Sequence, residues 1–218
     1  MKILDVPQSG SMAGTVSSRN RFGQYRRTRA TPVNPNSGPQ GTVRARLSAN
    51  AAAWRSLTNT QRAGWSSLGL MMSRTDSLGQ TYTLTGFQAY CSVNNNNSAA
   101  GNALVADAPT FATPAAIATA TITLTAAAFS IAYTPTPLGT GERLFTYVSP
   151  QRSAGRAFEG DLRLLAVSAA AAASPANVFA AYQARFGTPV VGNRVFVTLQ
   201  RYLAGFTSGP LSLSAVVA

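Results

Sequence analysis

Downstream of Pro109 the chain breaks into seven short apolar or alternating runs: "TATITLT", "FSIAYT", "RLFTYVSP", "LRLLAVS", "VFAAYQARFG", "NRVFVTLQRY" and "LSLSAVV". Pro, Gly and Ser turns separate them. Alternation with a period of two sends every second side chain to the same face, the pattern of a half-buried strand. The number and spacing of the runs predict a mainly β chain with a seven-stranded β-sandwich over residues 111–218. "AVSAAAAASPAN" carries Pro175 and no large apolar residue, so it is read as a loop rather than a helix.

The upstream half follows different rules. Residues 1–41 hold Gly at 10, 14, 23, 38 and 41 and Pro at 7, 32, 35 and 39, with no sustained period. "TPVNPNSGP" is expected to be extended, because a residue that precedes proline is pushed out of the helical region. This predicts an arm that orders only by lying on another surface. From Thr42, "TVRARLSANAAAWRSL" places Val43, Leu47, Ala51 and Trp54 on one helical face, with Arg44, Arg46 and Arg55 off it. "TNTQ" reads as a capping box of Thr58 and Gln61. It opens a second helix that carries Trp65, Leu68 and Met72. Val43, Leu47, Trp54, Trp65 and Leu68 are therefore the expected core of a small helical hairpin. "DSLGQTYTLTG" is read as a turn with a short strand, and "GFQAYCSVN" as one or two helical turns carrying Phe87 and Tyr90. "NNNNSAAGNALVADAP", from Asn94, is read as a linker. The expected organisation is an extended arginine-rich arm at 1–41, a helical region at 42–97, a linker at 98–110 and the sandwich at 111–218.

Charge narrows the function. Only 11% of residues are charged, against about 25% in ordinary domains. Such a surface is weakly solvated on a free monomer, so the chain is expected to bury much of it against other copies. The net charge of +12 is uneven. Residues 1–75 hold 11 basic groups and one acid, or +10, and residues 76–218 hold 7 basic groups and 5 acids, or +2. Every basic residue except Lys2 is arginine, which suits bidentate contacts to phosphate, carboxylate and carbonyl groups. A GC-rich genome produces the same bias with no functional meaning.

The chemistry of a conventional active site is missing. The sequence has no histidine, which removes the commonest general base and metal ligand. The acids are scattered, apart from Glu159 and Asp161 in "EGD". That pair is read as a solvated turn joined to Arg156 or Arg163, in preference to a calcium site. No nucleophile has an activating partner within its segment, and "GTGERL" lacks the lysine of a phosphate loop. Cys91 is the only cysteine, so neither a disulfide framework nor a cysteine zinc site is expected, and it reads as a small buried residue. The expectation is a non-enzyme with no cofactor, no metal and no small-molecule substrate. "MKILDVPQSG" has too short an apolar run for a signal peptide, and no stretch reaches the ~20 apolar residues of a membrane span. No membrane association is expected, and assembly in a host cytoplasm is.

Arg19, Arg21, Arg26, Arg27 and Arg29 fall within eleven residues and admit two readings. As a nucleic-acid arm they would neutralise phosphates of DNA or RNA, with Phe22 and Tyr25 stacking on bases. As an assembly arm they would bond carbonyls and carboxylates of a neighbouring subunit while Pro32, Asn34 and Pro35 run extended across it. The second is preferred, because an electrostatic tail needs no Pro-Asn-Pro element and no capped helices behind it.

Two resemblances bear on these readings. "NRVFVTLQRYLAGFTSGPLSLSAVV" resembles the last hairpin of fibronectin type III domains, which implies a fibronectin III/Ig-like sandwich. The first 90 or so residues resemble a family of largely uncharacterised bacterial and prophage-borne proteins. Their N-termini run Ser-Gly, Gly-x-Tyr-x-Arg, Pro-x-Asn-Pro-x-Thr/Ser, Gln, Arg, and then a Trp-bearing helix pair. The matching residues are Gly14, Gly23, Tyr25, Arg26, Arg29, Pro32, Asn34, Pro35, Ser37, Gln40, Arg44, Trp54, Arg62 and Trp65. This resemblance implies a phage-like structural role. The expected function is that of a non-enzymatic, self-assembling virion protein, a coat, decoration or tail subunit of a virus or bacteriophage particle. Its expected partners are further copies of itself and other particle proteins. The alternatives are a nucleic-acid packaging protein and a bacterial surface filament or adhesion module.

Overall fold

The computed structural model describes residues 8–21, 23–76 and 78–218, and the chain separates into one unit ending at Thr42 and another starting at Val43. In the first unit Gly10–Met12 (β1), Thr15–Asn20 (β2) and Gly23–Thr28 (β3) form an antiparallel meander. This corrects the expected extended arm over residues 10–28. A turn with Ala13 at φ 50° leads β1 into β2, and the two ladders satisfy the backbone groups of β1 and β3 that face β2. No described side chain of the sheet is buried. Without a buried face the strands carry no apolar alternation to announce them. Residues 29–37 are exposed and carry no regular secondary structure, but Asn36 turns into the left-handed region at φ 46° and helix begins at Gly38, so the expected extended run over "TPVNPNSGP" is interrupted.

Ser37 ends that stretch. Its N–H donates to Gln40 Oε1 at 3.2 Å, and helix Gly38–Ser56 (α1) begins. Helices Asn59–Met71 (α2) and Gly86–Ala99 (α3) follow, with a hairpin of Ser73–Thr75 (β4) and Thr81–Thr83 (β5) between them. The predicted Thr58–Gln61 capping box is present, and a second, Thr85–Gln88, starts α3. Leu57, Trp65, Leu68 and Met72 pack against Ala89, Tyr90 and Val93. Gly69 permits close contact with the chain ahead of α3, since a Cβ there would lie 2.4 Å from Leu84 O. Trp54 is only partly buried and leans on Phe87 and Tyr90, with ring centroids 5.6 and 5.3 Å away. Val43 and Leu47 do not belong to this core. They are 64% and 51% exposed, and among the described residues the buried packing of α1 against the other helices starts at Asn50.

The asparagine tract is not a linker. It forms the last turns of α3, with Asn94 and Asn97 buried. Successive helical residues are rotated by about 100°, so four amides in a row serve four directions. Asn94 clamps the Val105 peptide, accepting from its N–H at 2.8 Å and donating to its carbonyl at 3.2 Å. Asn95 accepts from Asn50 at 2.9 Å. Asn96 donates to Gly205 O at 2.8 Å, and Asn97 accepts from the Tyr202 hydroxyl at 2.7 Å. These bonds tie the helices to the β portion, so the expected boundary at residues 98–110 is instead a packed junction within the second unit.

The remaining elements are Thr119–Leu124 (β6), Phe129–Thr134 (β7), Arg143–Val148 (β8), Arg152–Ser153 (β9), Arg163–Val167 (β10), Ala176–Asn177 (β11), Phe179–Phe186 (α4), Asn193–Leu203 (β12), Phe206–Thr207 (β13) and Leu211–Val216 (β14). One antiparallel sheet has the order β11-β7-β6. In the other, β10-β8-β12 continue to β14, with β9 and β13 extending the ladders along β12. Ile131 and Leu124 of the first sheet share a core with Leu144, Val197 and Leu199 of the second. The opposite face of β8 and β12 presents Phe145 and Tyr202, stacked at 5.2 Å, to Ala100 beyond α3. The run "VFAAYQARFG", expected as a strand, is helix α4. Phe179, Tyr182 and Phe186 recur at helical spacing, and Tyr182 is fully buried against Phe129 and Phe186. Among the described residues no helix is long and apolar enough to cross a membrane.

The β12–β13 turn fixes the junction. Ala204 and Gly205 have φ of 48° and 91°, the paired positive values of a type I′ hairpin turn. A Cβ on Gly205 would sit 2.3 Å from Val93 Cγ1. Gly205→Ala is therefore expected to destabilise the chain by about 2–4 kcal/mol, combining overpacking with backbone strain. Adding Val93→Ala should restore part of that loss, measured by denaturant unfolding. A single variant as stable as the parent would show that the helices do not seat on this turn.

Candidate functional site

The chemistry that the sequence singles out lies on the N-terminal sheet. Directly opposed residues share a face, so Arg19 with Gln24 and Ser17 with Arg26 line one side. Val16 with Arg27 and Ser18 with Tyr25 line the other. Arg21 stands in the β2–β3 turn, and Arg29 follows β3, its N–H bonded to Gly14 O at 2.8 Å. The five arginines are thus distributed over both faces and both ends of a thin ribbon. Arg26 donates to Gln8 Oε1 at 2.6 Å and to Ser17 Oγ at 3.3 Å, which holds one guanidinium upright on its face. Phe22, expected to stack on bases, lies outside the described residues. Pro32, Asn34 and Pro35 sit on the exposed strap behind the sheet, where Asn34 Oδ1 accepts from the Asn36 N–H at 3.3 Å. Strands β1 and β3 each pair only with β2 among the described residues. β1 and β3 are therefore the two edge strands of the described sheet.

Trp54, Trp65 and Leu68 belong to the helical packing described above and stand apart from this ribbon in sequence. Arg62 closes the end of α1, donating to Arg55 O at 2.9 Å. A cleft of about 390 Å³ lies among Leu47, Arg74, Tyr82, Phe87 and Cys91. Burial pushes the half-buried Cys91 thiol upward, away from the thiolate form that a nucleophile requires.

A second arginine cluster surrounds the "EGD" turn, and its members Arg152, Arg185 and Arg194 escaped sequence reasoning. Arg152 and Arg156 pair with Glu159, and Arg163 grips Asp161 through two bonds of 3.0 and 2.9 Å. Arg194 donates to Arg156 O at 2.9 Å. Arg163 and Arg185 lie 5.9 and 5.7 Å from the Phe186 ring centre. The Asp161 amide, followed by the guanidiniums of Arg152 and Arg156, holds the Glu159 carboxyl below its ordinary range despite burial. Arg163 does the same for Asp161. The "EGD" turn is ion-paired with Arg156 and Arg163, as expected, but Glu159 is buried rather than solvated, its side chain only 4% exposed. Arg152, Arg185 and Arg194 come from β9, α4 and β12. Only the folded topology brings them together, and no spacing in the sequence signals it.

No family model, no curated protein and no solved structure matches the chain.

Proposed function

We propose that the protein is a non-enzymatic, self-assembling structural subunit, a component of a virus or phage particle, whose N-terminal sheet acts beyond its own subunit. The observation that carries this reading is the sheet itself. Among the described residues its strands bury no side chain, β1 and β3 each pair with β2 alone, and an exposed strap of residues 29–37 follows it in the chain. A three-stranded sheet without a buried face gains little from folding alone. Open edges are the surfaces by which one chain adds strands to another. The low charged fraction of 11% points the same way.

The β portion supports the finer reading of a fibronectin III/Ig-like sandwich. Its three-stranded layer β11-β7-β6 and its larger layer, with β8 and β14 on opposite edges of β12, follow the crossed-over strand order of such folds. Such a sandwich serves as a rigid spacer in an assembly, and its fold alone assigns no activity.

Sedimentation velocity and negative-stain imaging of the full chain test the proposal. Oligomers or particles are expected, and deletion of residues 1–37 should reduce them to monomers while leaving the larger unit folded. A full chain that stays monomeric at every concentration, alone and with nucleic acid, would overturn it.

A further inference from the structure

We infer that the arginines of the N-terminal sheet bind the phosphodiester backbone of nucleic acid, and that this polyanion, rather than a second copy of the chain, neutralises them. The inference rests on the reading of residues 1–42 as a unit that acts outside its own subunit. Its basis is the distribution of charge between the two units.

Residues 1–42 contain six basic groups and one acid, a net +5. Residues 43–218 contain twelve basic groups and five acids, a net +7. Any contact between copies therefore brings positive charge against positive charge. The acids of the larger unit are largely committed. Glu142 pairs with Arg201, Glu159 with Arg152 and Arg156, and Asp161 with Arg163. Only Asp76 and Asp107 lie outside these pairs. Asp76 accepts the Leu78 and Gln80 amides, both at 2.8 Å, and Asp107 accepts from Gln61 at 3.1 Å. Two carboxylates cannot balance the cations of the N-terminal unit. Carbonyl oxygens of a neighbour would bond a guanidinium but leave its charge uncompensated, which is costly once water is excluded.

Composition selects nucleic acid over an acidic protein. Protein interfaces are organised around buried aromatic and aliphatic anchors. The described strand residues of this sheet offer Met12, Val16 and Tyr25, while Ser, Thr, Asn, Gln and Arg fill most other positions. Those polar types, with backbone N–H groups, supply most phosphate contacts. The shape agrees. Beyond β1, which pairs only with residues 15–17 of β2, the sheet narrows to a two-stranded β2–β3 ribbon; such a ribbon fits the major groove of a duplex, and arginine on both faces lets it contact backbone on either side. The outer edges of β1 and β3, which pair with no other described strand, can join copies through their backbone, so polyanion binding and subunit contact use different atoms of the same sheet.

The test uses the full chain and a fluorescent oligonucleotide of mixed sequence, as single strand and as duplex, titrated across salt concentration. Affinity should fall steeply with salt. Replacing Arg19, Arg26 and Arg27 with Gln should flatten the log–log slope by about 0.9 per arginine on duplex and about 0.7 on single strand. Lys at the same positions should keep the slope, which separates lost charge from a misfolded sheet. An unchanged slope in the Gln variant overturns the inference. So does a polyglutamate peptide that binds equally well with the same dependence on these arginines. Particle size in the same samples after nuclease treatment keeps the two readings apart. Nuclease-resistant assembly by a Gln variant whose salt slope equals the parent's leaves the assembly reading standing and removes this one. Oligonucleotide binding with the expected slope by a persistent monomer does the reverse.

Discussion

Trp65→Ala is expected to lower the unfolding free energy of the chain by about 3–5 kcal/mol. The indole is fully buried, meets Tyr90 edge-on at 5.1 Å, and donates its Nε1–H to Ala106 O at 2.7 Å. Truncation would open a cavity between α2 and α3 and leave the Ala106 carbonyl without its donor. The cost should spread, because Ala106 belongs to the segment that Asn94 also clamps at Val105. At roughly 2–4 °C per kcal/mol for a unit of this size, the melting temperature should fall on the order of 10 °C. Trp65→Phe keeps most of the ring volume and loses the hydrogen bond, so about 1–2 kcal/mol is expected. Trp54→Ala should cost less than Trp65→Ala, since that indole is only partly buried. Calorimetry of the three variants gives the ranking. Equal melting temperatures for Trp65→Ala and the parent would place the indole outside the core.

How far the fold was legible in the sequence depended on whether a local rule and the tertiary environment agreed. Thr58 and Gln61 were readable because a capping box needs only its own four residues. Six of the seven β runs were readable because one face of each strand is buried against the opposite sheet. The seventh, read as a strand, is a helix. Phe179, Tyr182 and Phe186 fit a helix, yet the short apolar run around them fits a buried strand equally well. The helix wins because Tyr182 fills the core beside Phe129 and the Asn177 side chain takes up the Phe179 N–H at 3.0 Å. Val43 and Leu47 failed for the opposite reason, since a helical stripe was present but both side chains stay exposed among the described residues. Asn94 to Asn97 failed because composition alone reads an asparagine run as solvated. Its four amides are used only once α1, the residue 105 segment and the β12–β13 hairpin converge on it. At the candidate site the arginines were legible as charge, whereas their distribution over two faces came from a β2–β3 register that no apolar pattern encodes.

Glu142→Gln is expected to cost about 3–5 kcal/mol at neutral pH, the usual penalty for stranding one member of a buried ion pair. Glu142 lies just ahead of β8 and bonds Arg201 of β12, with each side chain 10% exposed. Its carboxylate also accepts the Gly139 N–H at 2.8 Å. Arg201 Nε is buried with no partner of its own, so the guanidinium relies on Glu142 for its countercharge. Burial pushes the Glu142 carboxyl upward, but the bonds from Arg201 and Gly139 outweigh it, and the net shift is downward. A carboxyl depressed in the folded state stabilises the fold above its unfolded value of about 4.3, and that contribution disappears as pH falls through the lower folded value. The parent should therefore lose stability on acidification below that point, and Glu142→Gln should show a shallower acid dependence from a lower starting stability. Replacing both partners, Glu142→Leu with Arg201→Met, should recover most of the loss, because a packed apolar pair removes the stranded charge along with its countercharge. Denaturant unfolding of the parent and both variants between neutral and acid pH measures this directly. A Gln variant with the parent's stability would show that the pair contributes nothing to holding β8 and β12 in register. A double variant worse than the single one would instead assign the pair a geometric role that apolar packing cannot replace.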